Sequence, residues 1–281
     1  MTQPRLATVG RVSVTWIDLA GAHNVRDLGG LRAGAGATRP NVLLRADALD
    51  GLTAEDVAEL VETRGLAHVV DLRSGHERLE RGRGPLGATP VRYTELEVIG
   101  PDDLARRAET RAASFAAGLP PAQILGDGYV ELLELGGAAF SDAFRRIVAP
   151  SWTDRSLGDS LGSPGGVPVL VHCAIGKDRT GVLVALLLDA AGVDHDEIVA
   201  DYARSGERMA PIIERWMTNN PSSTMSEQLA AFTAMAPADT MVQVLEHLAT
   251  RWGGAAGFLA DHGVSDAEVA TWREVLVAGS G

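Results

Sequence analysis

Residues 167–192 read VPVLVHCAIGKDRTGVLVALLLDAAG, and this stretch decides the fold class. The first part, VPVLVHC, is short, rich in Val and ends abruptly in polar residues, the pattern of a central strand. The last part, RTGVLVALLLDAAG, is apolar on every face and reads as a buried helix. Strand, tight loop and buried helix in direct succession predict an α/β protein with a central, mostly parallel sheet flanked by helices.

The loop between them carries chemistry. Cys173 ends the strand, Arg179 opens the helix, and Ala174, Ile175, Gly176, Lys177 and Asp178 lie between. A loop of this length can curl so that its backbone N–H groups point inward, and with the helix N-terminus it forms an anion cradle over residues 174–179. Gly176 permits the backbone angles of the curl. Arg179 can fork two N–H donors onto two phosphate oxygens, a geometry lysine cannot copy. A free cysteine is only slightly ionised at neutral pH, and a helix N-terminus with neighbouring cations favours the thiolate. The pattern therefore predicts Cys173 as a nucleophile that forms a cysteinyl-phosphate, with Thr180 assisting departure of the sulfur. A nucleotide-binding loop of the Walker type is excluded, because Val171 and Asp178 stand where it requires Gly and Ser or Thr.

The remaining composition narrows the partners. The chain has 281 residues, a formal net charge of −12 and one cysteine. An acidic surface disfavours nucleic acid and anionic membranes, so an anionic substrate needs a local basic pocket. One cysteine excludes an intramolecular disulfide framework and a Cys-rich zinc site. The opening stretch MTQPRLATVGRVSV lacks the sustained apolar core of a signal peptide, and the longest apolar run, around Val182–Leu188, is far too short to span a membrane. A soluble, cytoplasmic protein without stable membrane insertion is expected; export without a cleaved signal peptide is compatible with the same features.

One domain over 1–281 is expected, with no internal repeat and no linker that demands a second unit. Thr53 and Asp56 have capping-box spacing ahead of the apolar stripe Val57, Leu60 and Val61. LAHVVDLRS and VRYTELEV read as further strands. QILGDGYVELLELGG and AAFSDAFRRIVA read as two helices, and SWTDRSLGDSLGSPGG as a loop. Residues 101–118 are helical but poor in large apolar side chains, which suggests a helical lid near 101–136. The C-terminal third is predicted to be helix-rich, and Ser265 with Glu268 repeats the capping-box spacing.

HCAIGKDRTG (172–181) resembles the phosphate loop of the cysteine-dependent protein tyrosine phosphatases, most of all an atypical bacterial branch that includes dual-specificity and lipid phosphatases. NVRDLGG (24–30), LLRADAL (43–49) and WGGAAGFLADHGVSDAEVATWREVL (252–276) resemble further signatures of that branch, so the likeness spans most of the chain. It implies a phosphotyrosine phosphatase-like fold, Cys173 as nucleophile, Arg179 as phosphate clamp, and a reaction without metal or other cofactor. The implied partners are phosphotyrosine-containing proteins or other phosphomonoesters, with phosphoinositides as an extension.

The general acid is open among three aspartates. Asp71 sits at the carboxyl end of HVVDLRS, facing the same crevice as Cys173 if the two strands are parallel; a strand-end salt bridge with Arg73 is the alternative. The resemblance favours Asp71, because DLRS matches the acid-bearing segment of the branch. Asp178, inside the loop, could donate the proton or brace the loop. Asp154 in SWTD is the weakest of the three. Lys177 could recruit a second phosphate, as in phosphoinositide phosphatases, although those resemble a loop with a further lysine where Ala174 stands. His172 could support the thiolate or simply pack at the strand end. Asn24, Arg26, Asp27, Arg45 and Asp47 read mainly as structural. A phosphoinositide phosphatase, a catalytically weak phosphate-binding module and another thiolate enzyme such as a sulfurtransferase are the competing functions.

Overall fold

The computed structural model describes residues 15–149, 168–219 and 226–279. The main sheet runs in spatial order β1 (Thr15–Trp16), β2 (Arg26–Asp27), β5 (Leu43–Ala46), β8 (Val169–His172), β6 (His68–Asp71) and β7 (Arg92–Glu95). β5, β8, β6 and β7 are parallel, and β1 and β2 extend the β5 edge antiparallel. A small antiparallel sheet joins β3 (Arg32–Ala33), β4 (Gly36–Thr38) and β9 (Val277–Ala278), tying the C-terminus to the N-terminal turns.

Every residue of β5, β6 and β8 is buried, as in a sheet covered on both faces. Alternation divides them. Leu43, Val70, Val169 and Val171 enter one core with Leu132, Phe140, Phe144, Leu183, Leu187, Val244 and Trp272. Leu44, Ala46, Val69 and Leu170 enter a second, smaller core with Ile17, Leu49, Leu60 and Leu86.

Among the described residues the α-helices are α1 (Ala54–Ala58, continued by a π turn), α2 (Gly75–Arg81), α3 (Pro101–Ala116), α4 (Pro121–Val148), α5 (Asp178–Ala191), α6 (His195–Arg204), α7 (Met209–Asn219), α8 (Glu227–Ala234), α9 (Ala238–Trp252), α10 (Ala255–Asp261) and α11 (Asp266–Leu276). Thr53–Asp56 and Ser265–Glu268 form the expected capping boxes. No helix among the described residues is long and apolar enough to cross a membrane.

Two expectations need correction. The two helices expected before residue 149 are one 28-residue helix, α4. Gly136 and Gly137 do not break it, because both are close-approach positions: a Cβ at Gly136 would lie 2.6 Å from Val98 Cγ1, and one at Gly137 would lie 2.2 Å from His262 Nε2. The burial gained by this close packing outweighs the helix cost of two glycines. Consequently only part of the expected cover at 101–136 lies on the surface. α3 is largely exposed and sets Phe115 edge-on against Phe232 of α8, whereas Ile124, Leu125, Leu132 and Leu133 of α4 belong to the core. The expected loop SWTDRSLGDSLGSPGG, with Asp154, falls outside the described residues.

Candidate active site

The parallel register aligns Ala46, His172 and Asp71 at one edge of the sheet. The next residues, Asp47, Cys173 and Leu72, therefore share the crevice at the strand carboxyl ends. Cys173 is 1% exposed and unpaired with another cysteine. From it the chain curls through Gly176, at φ +68°, into α5. A Cβ on Gly176 would lie 2.4 Å from the Ala46 carbonyl oxygen, so the loop is pressed against β5 as well as curled.

What orients the loop comes from the N-terminal strands. Ala48 N–H donates to the Ala174 carbonyl at 3.1 Å. Asn24 Nδ2 donates to the carbonyls of Ile175 and Gly176 at 3.3 and 3.0 Å, and Arg45 Nη2 donates to Gly176 at 2.8 Å. In a trans peptide the C=O and the following N–H point in opposite directions. Three carbonyls drawn outward therefore turn the N–H groups of Ile175, Gly176 and Lys177 into the concavity, an anion-binding nest.

Behind these donors lies a buried charge cluster. Asp201 of α6 accepts from Arg26 Nε at 2.7 Å and Arg45 Nη1 at 2.6 Å, all three side chains being at most 1% exposed. Arg26 also donates to the Asp201 carbonyl, Ser205 Oγ and Asn24 Oδ1. Burial pushes the Asp201 carboxyl up, but the two guanidiniums outweigh it and hold it below the usual range. Burial and repulsion by Arg45 pull the Arg26 guanidinium down to about 10. Asp47 accepts the N–H groups of His23 and Asn24 and a guanidinium N–H of Arg215, and Asp27 accepts the N–H groups of Gly29 and Asn41. Of the residues read from sequence as structural, Asn24 and Arg45 thus hold the loop directly and Arg26 and Asp47 hold Asn24, whereas Asp27 ties only the turn at Gly29 and Asn41.

Arg179 opens α5 beside the loop. Its Nη1 and Nη2 donate to Glu77 at 2.6 and 2.8 Å, and Nη1 also donates to the Leu72 carbonyl at 3.2 Å. Glu77 is the N3 residue of α2 and accepts the Ser74 N–H at 2.6 Å in a capping box. Burial disfavours its charge, but Arg179 and Ser74 more than compensate and hold its carboxyl at about 2. Burial likewise opposes the Arg179 charge, and Glu77 together with the charges of Cys173 and Asp178 keeps the guanidinium above its ordinary value. A guanidinium has five N–H donors. Among the described residues, Glu77 and Leu72 take the end-on pair and the outer Nη1 hydrogen, which leaves the edge formed by Nε–H and the second Nη2–H.

The candidate acids occupy different environments. Asp71 is fully buried and forked by Arg73, with Nε at 3.0 and 3.1 Å and Nη2 at 2.7 Å, and it accepts the Arg73 backbone N–H as well. Burial raises its carboxyl, and His172 and Arg73 reverse this to give about 2. The strand-end salt bridge weighed above is present. Asp178 sits in the first turn of α5 with its side chain 35% exposed and Lys177 Nζ at 3.6 Å. Its Oδ1 accepts the Tyr129 hydroxyl. Burial pushes the Asp178 carboxyl up, while Lys177, Tyr129, Arg111 and Arg179 bring it below its ordinary value.

His172 is fully buried. Its Nδ1 bonds the Cys173 carbonyl at 3.1 Å and its Nε2 lies 3.6 Å from Asp71, so its recorded contact with Cys173 is through the backbone. Burial lowers its proton affinity despite Asp71. The Thr180 hydroxyl is buried and has no hydrogen-bond partner among the described residues. The Lys177 ammonium donates to the Thr233 and Met235 carbonyls at 2.7 and 2.9 Å, at the end of α8, and the side chain is 1% exposed. Lys177 can therefore offer the loop its backbone N–H while its side chain is engaged elsewhere.

A cavity of about 90 Å³ adjoins the loop at Ala174 and Ile175, walled by Arg73, Glu77, Arg81, Ile212, Arg215 and Trp216. Among the described residues, no group of three or more His, Cys, Asp and Glu is placed to hold a metal ion. Glu77, Tyr129, Asp201, Arg215 and Trp216 were absent from the sequence-based site. Ser74-x-x-Glu77 has a legible capping-box spacing, but nothing local ties it to Arg179, 102 residues away.

A model of the tyrosine phosphatase family matches residues 17–278. The triple specificity protein phosphatase PtpB of Mycobacterium tuberculosis is 31% identical, over 92% of this chain and 98% of its own. A tyrosine-protein phosphatase of Nostoc commune is 31% identical over 52% of this chain and 46% of its own. Among solved structures, TpbA of P. aeruginosa aligns with 80% of this chain and 99% of its own, at 14% identity and a TM-score of 0.37.

Proposed function

The chain belongs to the tyrosine phosphatase family and is a protein-tyrosine phosphatase, and we propose that it acts through a phosphorylated Cys173 with Asp178 as general acid and base. The carrying observation is the loop itself: carbonyls 174–176 tied outward around a buried thiol, with Arg179 oriented at the rim.

In the proposed first step the phosphate dianion enters the nest, and Arg179 donates to it through the edge that Glu77 leaves open. The Cys173 thiolate attacks phosphorus in line. The S–P bond forms, the P–O bond to the tyrosyl group breaks, and the phenolate oxygen takes a proton from Asp178. In the second step the Asp178 carboxylate removes a proton from water, water oxygen attacks phosphorus, and the S–P bond breaks. The unpartnered Thr180 hydroxyl would then donate to the departing sulfur.

The choice between the aspartates rests on access. Asp71 is fully buried, and Arg73 occupies both its oxygens. Holding a proton there, as a general acid must, would leave the buried Arg73 guanidinium without its countercharge, so Asp71 is assigned to hold Arg73 and brace His172. Asp178 stands at the rim, and one tyrosyl hydroxyl holds it without enclosing it. The Mycobacterium tuberculosis relative is named for triple specificity. For this chain we assign phosphotyrosine as the preferred substrate, because engagement of Lys177 by Thr233 and Met235 withdraws the ammonium that a second headgroup phosphate would use. A cytoplasmic location fits a reaction that needs its one thiol reduced.

The test is pre-steady-state hydrolysis of an aryl phosphate in chelator, followed by a panel of phosphotyrosine, phosphoserine and phosphothreonine peptides and phosphoinositides. A burst stoichiometric with enzyme and a trapped phosphate on Cys173 are expected. Full turnover by Cys173→Ser would sink the mechanism. Tight phosphopeptide binding without phosphate release would favour a binding module, and a persulfide on Cys173 would favour sulfur transfer.

A further inference from the structure

A hydroxyl chain ends on the proposed acid. Tyr129, in the middle of α4 and 3% exposed, donates its single hydroxyl proton to Asp178 Oδ1. Its oxygen accepts the Tyr202 hydroxyl of α6 at 3.0 Å. The two rings meet edge to face, 5.8 Å between centroids and 89° between planes. Gly181 makes room for this pair, since a Cβ there would lie 3.2 Å from the Tyr202 ring. Tyr129 cannot turn its proton elsewhere without abandoning Asp178, and the Tyr202 proton fills the opposite side of its oxygen. The chain therefore has one polarity, Tyr202 to Tyr129 to Asp178, and both tyrosines come from helices fixed in the core.

We propose that Tyr129 is a positioning residue that fixes the Asp178 carboxyl and sets the pH at which it exchanges its proton during phosphoryl transfer. The inference rests on the reading of Asp178 as the acid. With Oδ1 committed to Tyr129, Oδ2 is the atom that carries the proton to the leaving oxygen and later takes one from water. A donor to the ionised form stabilises that form, so the bond favours the base of the second step and confines the acid of the first step to lower pH. The other charged and titratable groups facing Asp178 are Lys177 at 3.6 Å in the loop, Arg179 in α5, Arg107 and Arg111 in α3, and Tyr202 in α6. Each of these cations pulls in the same direction as Tyr129, but Tyr129 alone among them holds Oδ1 in a recorded hydrogen bond.

Tyr129→Phe removes the hydroxyl and keeps the ring against Tyr202, so packing is retained. The measurement is kcat/KM against pH with a phosphotyrosine peptide for wild type, Tyr129→Phe, Tyr202→Phe and Asp178→Asn. The expected result is an alkaline limb that disappears in Asp178→Asn, moves to higher pH in Tyr129→Phe, and moves the same way but less in Tyr202→Phe. A merely structural tyrosine would lower the melting temperature or the overall rate and leave the limb in place. If Asp178→Asn abolishes the limb and the Tyr129→Phe profile superimposes on wild type, the inference is overturned and Asp178 keeps its role. If the limb survives in Asp178→Asn, the acid assignment fails and the inference with it.

Discussion

Glu77→Gln perturbs one oxygen of the group that aims Arg179. Both carboxylate oxygens face the guanidinium at 2.6 and 2.8 Å, and Oε2 also caps α2 through the Ser74 N–H. The amide keeps the shape but offers one acceptor where two are needed, and its NH2 meets a donor. The Glu77 carboxyl stands at about 2 rather than 4.5. At about 1.4 kcal/mol per tenfold change in proton affinity, this caps the stabilisation at about 3–4 kcal/mol at neutral pH. Glu77 is 27% exposed on its side chain, so screening brings the expected loss nearer to about 1–2 kcal/mol. Because the folded-state value lies below the unfolded one, the contribution is complete above about 4.5 and fades as pH falls towards about 2. Urea unfolding of wild type and Glu77→Gln should therefore differ most at pH 6–7, with the gap narrowing below pH 5. In the same variant Arg179 loses its orientation, and kcat/KM for a phosphotyrosine peptide should drop by roughly ten- to a hundredfold, the worth of one charge-assisted hydrogen bond. A stability gap that stays constant from pH 7 to pH 3.5, or a kcat/KM within twofold of wild type, would refute the reasoning.

Arg179→Lys retains charge but loses the fork, and kcat/KM should fall at least a hundredfold while the melting temperature changes far less. Asp201→Asn leaves Arg26 and Arg45 buried with their shared countercharge removed; chemical denaturation should register a loss of about 3–5 kcal/mol. Gly176→Ala places a methyl 2.4 Å from the Ala46 carbonyl at a positive φ, so phosphate-analogue affinity measured by calorimetry should collapse together with activity. Lys177→Met should lower stability by about 1–3 kcal/mol through the lost bonds to Thr233 and Met235, yet leave the ratio of phosphotyrosine to phosphoinositide turnover unchanged.

The local structure that depends on neighbours in sequence was legible. The Val-rich run, Gly176 and the apolar helix after Arg179 follow from local periodicity and backbone freedom, and both capping boxes stand where their spacing put them. The fork of Arg73 on Asp71 was visible as an alternative because the two residues are two apart. What escaped was long-range. Glu77 meets Arg179 across 102 residues, Tyr129 meets Asp178 across 49, and Arg26 meets Asp201 across 175. Nothing in a helical period says which tyrosine will touch Asp178. Gly136–Gly137 misled for the opposite reason: a local breaker was overridden by Val98 and His262 packing against the backbone it exposes.

The position of β8 has a consequence for how the protein comes into being. β8 lies between β5 and β6, although its residues follow theirs by about a hundred positions. An emerging chain that has completed β5, β6 and β7 holds two unsatisfied strand edges that wait for the segment bearing Cys173. Insertion of that segment closes the sheet, seats the loop on Asn24 and Arg45, and buries the thiol in one event. The nascent N-terminal half should accordingly be sticky and unable to settle alone, and catalytic competence should appear in a single late phase that coincides with completion of the sheet. A refolding experiment in which activity precedes amide protection of β8 by a resolvable interval would contradict that order.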